Sequence, residues 1–165
     1  MMRLAVGDAV VYTTHGVGRV AGREQKLVLG LQRECVLLDL AGGLRVTLPI
    51  EQARERLRAV VSKADLRRVE QTLREDAGPA DGVWTKRMRK GQAKLASGGA
   101  LELAEIVRDG SERDRPGGGG SPPLSIAERQ LYAQARQLLA QEISVARGVE
   151  PAEADAWIEA QVALP

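Results

Sequence analysis

The sequence predicts an α+β protein: an N-terminal Tudor-like (SH3-like) small β-barrel followed by an all-α C-terminal domain of about five helices. Three observations carry that expectation. From Val6 to Pro49, glycines break up runs rich in Val and Leu, the punctuation of short strands. After Pro49 the apolar spacing changes from a period of about 2 to one of about 3.6. Of 165 residues, 44% are hydrophobic but only 2% aromatic, with no Phe, so both cores must be built from Leu, Val, Ala and Ile.

In the first stretch Gly7, Gly16, Gly18, Gly22, Gly30 and the pair Gly42-Gly43 separate four or five strands, which suits a small barrel. Glu34 to Leu40 and Leu44 to Leu48 read as a hairpin across Ala41-Gly42-Gly43. Alternation turns Leu44, Val46 and Leu48 inward, and Arg45 and Thr47 outward. The first helix opens at Ser62, with Asp65 three residues on as a capping-box variant. It carries Leu66, Val69 and Leu73 on one face and ends at Gly78-Pro79. A second helix runs from about Thr85 to Ala96 and closes at Gly98-Gly99. A third carries Leu103, Ile106 and Val107 as far as Gly110. Arg115 to Pro123 reads as a flexible Gly/Pro loop. Ser125 and Glu128 form another capping box before a long helix whose Leu131, Ala135, Leu138 and Leu139 make one stripe, ending at Gly148. Pro151 starts the last helix, with Ala154, Trp157, Ile158 and Gln161 on one side. The domains are therefore 1–58 and 62–165, with the loop at 115–123, and no internal repeat.

Several functions are excluded by composition. No apolar run approaches the roughly 18 to 20 residues of a spanning helix, and Met1 to Tyr12 lacks the layout of a signal peptide, so the expectation is a soluble, cytoplasmic protein with no membrane partner. Cys35, the one cysteine, has no disulfide partner within the chain and reads as a buried, inert thiol among Val36, Leu37 and Leu38. His15 lies in an inter-strand loop, where a local hydrogen bond is its ordinary use, and it cannot assemble a metal site with Cys35 alone. Gly117 to Gly120 precede Ser-Pro-Pro, with neither the Lys-Ser/Thr of a phosphate loop nor a βαβ setting. No cofactor, metal or catalytic group is expected, and the chain is not read as an enzyme.

Charge points elsewhere. The formal net charge is +2, from 24 basic and 22 acidic residues, but its distribution is uneven: beyond Arg115 three arginines face six carboxylates. Trp84 to Lys94 contains Lys86, Arg87, Arg89, Lys90 and Lys94 and no acid, which marks it as the candidate surface for a phosphate-bearing partner. Trp84 sits at a loop-to-helix junction ahead of that run. Composition and position divide evenly between a core anchor and an exposed contact for it, whereas Trp157 falls on an apolar stripe and reads as core.

At these residues the chain resembles the CarD/CdnL family of bacterial transcription regulators. Val6-Gly-Asp-Ala-Val-Val-Tyr-Thr-Thr-His-Gly-Val-Gly18 is similar to the family's V-G-D-x-V-V-Y-P-x-H-G-x-G opening. Trp84-Thr-Lys-Arg-Met-Arg-Lys90, Lys94-Leu-Ala-Ser-Gly98, Leu103-Ala-Glu-Ile-Val-Arg-Asp109, Leu124-Ser-x-x-Glu128 and Ala135-Arg-Gln-Leu-Leu139 continue the resemblance in order. The opening alone is shared with transcription-repair coupling factors. The resemblance implies an N-terminal domain that binds the lobe of the RNA polymerase β subunit and a helical domain that contacts promoter DNA at the upstream edge of the melted region. It implies Trp84 as a minor-groove wedge, with Lys86, Arg87, Arg89 and Lys90 on the DNA backbone. The outcome it implies is stabilisation of the open promoter complex, largely without sequence preference, by a monomer held at the nucleoid through polymerase. Lys26, Arg45 and Thr47 are the polymerase-binding positions it suggests. Thr13 departs from the family's usual Pro, and Thr47 from a frequent basic residue two positions after Arg45. Four phosphate contacts would cost roughly a hundredfold in affinity between 50 and 200 mM salt, so DNA binding by the isolated chain should be weak and tethering through polymerase should make it useful. Two alternatives belong to other classes: a polymerase-independent, non-specific DNA-binding module, and a protein-interaction adaptor that uses the barrel and buries Trp84.

Overall fold

Strands β1 (Ala9–Tyr12), β2 (Gly16–Val28), β3 (Leu31–Leu40), β4 (Arg45–Pro49) and β5 (Leu57–Ala59) form one antiparallel sheet in the order β4-β3-β2-β1-β5. The structure is a computed structural model that describes residues 3–13, 15–115 and 122–163. It divides into two units, Met1–Val60 and Val61–Pro165. Gly117 to Gly120 and most of the loop expected at 115–123 lie outside the described residues. In the first unit Val10, Val20, Val36, Leu38, Leu40 and Leu48 project from one side of the sheet into a core that also takes Leu4 and Leu57. Among the described residues no aromatic side chain is fully buried there, and Tyr12 packs against this core half-buried.

A short helix, α1 (Ile50–Arg56), joins the edge strands β4 and β5 and delivers Ile50 and Ala53 to that core. It was not expected, because seven residues are too few to display a period. Gly18 marks a close approach: a Cβ there would meet Leu40 Cδ2 at 2.7 Å. The β2–β3 hairpin turns on Leu29 and Gly30, at φ of 51° and 81°, the two left-handed residues of a primed turn. Leu44 corrects an expectation. It belongs to the turn before β4, its carbonyl accepting from Leu40 N–H at 2.8 Å, and its side chain is exposed while Leu48 is buried.

The second unit contains α2 (Lys63–Arg74), α3 (Trp84–Ser97), α4 (Ala100–Asp114), α5 (Ile126–Arg147) and α6 (Pro151–Val162). Its core joins Val69 and Leu73 of α2, Leu103, Ala104, Ile106 and Val107 of α4, Ala135, Leu139, Ala140 and Ile143 of α5, and Ala154 and Ile158 of α6. Ser62 caps α2, its hydroxyl accepting from Asp65 N–H at 3.2 Å. That helix ends at Arg74, short of Gly78-Pro79, because Glu75 is already extended. Gly98 and Gly148 take the left-handed conformation that closes α3 and α5. Trp157 is half-buried against the core, with the Arg147 guanidinium 5.2 Å from its ring. No described helix is long and apolar enough to cross a membrane.

Helix α4 does not stop at Gly110 but continues to Asp114. The glycine is there for packing: a Cβ at position 110 would run into the Tyr132 ring on α5, whose hydroxyl bonds Ser111 Oγ at 2.9 Å. If Gly110 were only a helix breaker, Gly110→Ala would stabilise the unit by about 1 kcal/mol. Overpacking against Tyr132 opposes this at about 1–3 kcal/mol. The expected result of Gly110→Ala is a lower melting temperature in thermal unfolding.

Candidate functional site

Trp84 is the first residue of α3, and i+3/i+4 spacing puts it on the same face as Met88, Gly91 and Leu95. That face turns toward the helical unit, since Leu95 packs on its core and a Cβ on Gly91 would strike Leu131 of α5. At the head of the helix the core has run out. Trp84 is consequently 45% exposed, and its indole N–H donates to Ser125 Oγ at 2.9 Å. Val83 and Ile126, the neighbours of these two residues, are exposed as well. The two readings of Trp84 left open by composition thus meet part-way: the ring is anchored at one edge and open at the other.

The same periodicity sorts the basic run. Lys86 and Arg89 are exposed and make no salt bridge among the described residues. Lys90 is exposed, with a loose pair to Asp81 at 3.7 Å. The Asp81 carboxyl accepts from Val83 N–H at 3.0 Å, which, with the charges of Lys86 and Lys90, holds it below the usual carboxylate range against a desolvation that opposes this. Lys94 reaches Glu105 of α4 at 2.9 Å.

Arg87 is placed differently from the rest of the run. Its side chain is only 12% exposed; Nε and Nη2 bond the Glu128 carboxylate at 3.2 and 3.3 Å, and Nη1 donates to the Asp81 carbonyl at 2.8 Å. Its guanidinium is thus engaged inside the fold, unlike the charged groups of the other cations expected to meet a DNA phosphate. Glu128 also receives Arg113 of α4, which is itself buried and donates to the Pro122 and Pro123 carbonyls. Burial pushes the Glu128 carboxyl up, but hydrogen bonds from Arg113, Arg87 and the Ser125 N–H outweigh it and bring it down to about 2. Sequence reasoning identified Ser125 and Glu128 as a cap and missed both their links to α3 and the role of Arg113. The spacing signals the cap; nothing in it signals a partner 41 residues away.

A cavity of about 560 Å³ beside α3 is lined by Arg87, Lys90, Lys94, Arg108 and Arg113. Each of these cations lies within salt-bridge distance of a carboxylate, Arg87 and Arg113 sharing that of Glu128. No group of three metal-ligating side chains occurs among the described residues.

In the first unit, Lys26 stands opposite Arg33, Asp39 opposite Arg45 and Leu37 opposite Thr47. Directly opposed residues share a face, so Lys26, Arg45 and Thr47 lie on one side of the sheet. Six residues of β3 separate the Lys26 and Arg45 positions, roughly 20 Å along the strand. Arg45 lies on edge strand β4 and grips Asp39 with two bonds of 2.6 and 3.1 Å. Hydrogen bonding to Arg45 lowers the Asp39 pKa and raises that of Arg45. Cys35 is buried, and His15 packs edge-on against Tyr12.

A small sheet followed along the chain by a helical unit has known counterparts. Residues 4–61 match the CarD-like/TRCF RID domain, and residues 68–159 match the CarD C-terminal domain. The chain belongs to the CarD family. Its domains mark it as an RNA polymerase-interacting transcription regulator, in a family that is not enzymatic. It is also similar to the "Putative transcription factor YdeB" of Bacillus subtilis (strain 168), with 22% identity over 146 residues, 87% of this chain and 92% of that protein. The family resemblance read from Val6 to Gly18 and from Trp84 to Leu139 is borne out.

Glu128 gives the helical unit of this chain a defined acid response. Its pKa in the fold is about 2 against an ordinary 4.5, so the stability it contributes is complete above about pH 4.5 and is lost as pH falls from 4.5 towards 2. Glu128→Gln should cost about 3 kcal/mol at neutral pH, by leaving Arg87 and Arg113 buried without a countercharge, and should flatten that acid limb. Urea midpoints of both proteins from pH 7 to pH 2.5 test this.

Proposed function

We propose that this regulator binds the lobe of the polymerase β subunit through its sheet and stabilises the open promoter complex with Trp84 at the upstream edge of the bubble. The observation that carries the reading is the head of α3: a half-exposed, anchored indole with exposed Lys86, Arg89 and Lys90 on the same helix. An apolar wedge that partly unstacks a base step costs a few kcal/mol, so it favours DNA that is already opening, and neighbouring cations hold the backbone. Arg45 on the open edge of β4, with Thr47 and Lys26 on the same face, suits strand addition and charge pairing with a protein partner. With Arg87 withdrawn, three phosphate contacts predict roughly a 40-fold affinity loss between 50 and 200 mM salt. Free DNA binding is then weak, and tethering to polymerase raises the local concentration. The adaptor reading needs Trp84 buried, and its 45% exposure speaks against it. The regulator acts as a monomer in the cytoplasm, brought to the nucleoid by polymerase.

Trp84→Ala is the direct test. Loss of a half-buried ring and one hydrogen bond should cost about 1–2 kcal/mol, below the roughly 3–5 kcal/mol of a core aromatic. Well below the melting temperature the variant should still bind polymerase, while open complexes formed with it decay severalfold faster. Unchanged decay would remove the wedge.

The double variant Lys86→Glu/Arg89→Glu should keep its melting temperature, since neither side chain bridges a carboxylate among the described residues. Its DNA affinity should fall on every sequence tried, and the slope of log K against log salt should shrink by about 2. A loss confined to one promoter sequence would indicate base-edge readout instead.

A further inference from the structure

Ser125 does two things with one oxygen. Its Oγ accepts from Glu128 N–H at 3.2 Å, which caps α5, and from the Trp84 indole N–H at 2.9 Å, which reaches across to α3. A hydroxyl has two acceptor lone pairs, and an indole has one donor and no acceptor. Both capacities are filled here. Ser125 is itself fixed, because its backbone N–H donates to Glu128 Oε1 at 3.3 Å and Glu128 is buried between Arg87 and Arg113. The indole of a half-exposed Trp turns about two side-chain torsions, and this bond is the polar contact that restrains it from the far side of the site.

We infer that Ser125 is the positioning residue for Trp84: it holds the ring in the orientation in which it meets DNA, so that wedge and cap are built as one unit. This rests on the wedge reading above and adds to it a residue that does not itself touch the DNA. Ser62 supplies an internal comparison. It caps α2 through Asp65 N–H in the same way, but among the described residues no hydrogen bond joins it to a tryptophan.

The test compares Ser125→Ala, Ser62→Ala, Ser125→Thr and Trp84→Ala in the full chain. Solvent exchange of the Trp84 indole N–H is followed by NMR, and the lifetime of promoter complexes with RNA polymerase holoenzyme is measured well below every melting temperature. Ser125→Ala should speed indole exchange at least tenfold and shorten the lifetime nearly as much as Trp84→Ala. Ser62→Ala should change neither, although it also loses a cap, and Ser125→Thr, which keeps the hydroxyl, should restore both. Adding Ser125→Ala to Trp84→Ala should shorten the lifetime no further. If Trp84→Ala shortens the lifetime and Ser125→Ala does not, or does so no more than Ser62→Ala, Ser125 is only a cap and the inference fails alone. If Trp84→Ala itself leaves the lifetime unchanged, the wedge reading fails and takes the inference with it.

Discussion

Glu128 shares one buried carboxylate between Arg87 of α3 and Arg113 of α4 while closing the first turn of α5. Three helices meet at that group. Its importance follows from what α3 lacks: no apolar side chain of the helix is fully buried, so apolar packing alone holds it weakly. Its attachment comes from the Glu128 ion cluster, from the close approach that Gly91 allows to Leu131, and from Lys94 to Glu105. Burying an ion pair is not a gain in itself, since desolvation offsets the attraction; its use is geometric, because only one register satisfies every donor. Here the register fixed is that of the helix bearing Trp84.

The parts of this architecture legible in the sequence are those governed by local rules. Ser62 and Ser125 announced two helix starts, Gly98 and Gly148 two ends, and the alternation through Val46 and Leu48 a strand. What escaped depends on partners distant in the chain. Gly110 reads as a stop until the Tyr132 ring against it is seen, and α1 is too short to show a period. Arg87 is indistinguishable in sequence from Arg89 two positions on. A rotation of about 200° along the helix separates them, turning one into a buried ion pair and leaving the other in solvent. The candidate site was therefore legible as a basic stretch beside Trp84, and its division into structural and available charge was not.

That division bears on the electrostatics of the whole unit. The run from Trp84 to Lys94 holds five basic residues, but Arg87 is neutralised inside the fold and Lys94 pairs with Glu105 at 2.9 Å, so the outward field comes mainly from Lys86, Arg89 and, through a loose pair with Asp81, Lys90. Because the Trp84 N–H is satisfied by Ser125, the open part of the ring offers carbon rather than a donor. A carbon surface flanked by exposed cations suits a partner recognised by shape and backbone charge, with little dependence on base identity.

On the proposed reading, the magnitudes explain why so polar an anchor stands behind an apolar wedge. Unstacking a base step costs a few kcal/mol, and the reaction to that load falls on α3. If the helix could yield for less than this, inserting the ring would displace α3 and leave the DNA stacked. Separating one partner from a buried ion pair costs about 3–5 kcal/mol, comparable to the load or above it. Leu95, half-buried at the far end of the helix, has no such resistance to offer near Trp84. The rigid point must sit within a turn of the wedge, and Arg87, three residues after Trp84, is where the fold puts it.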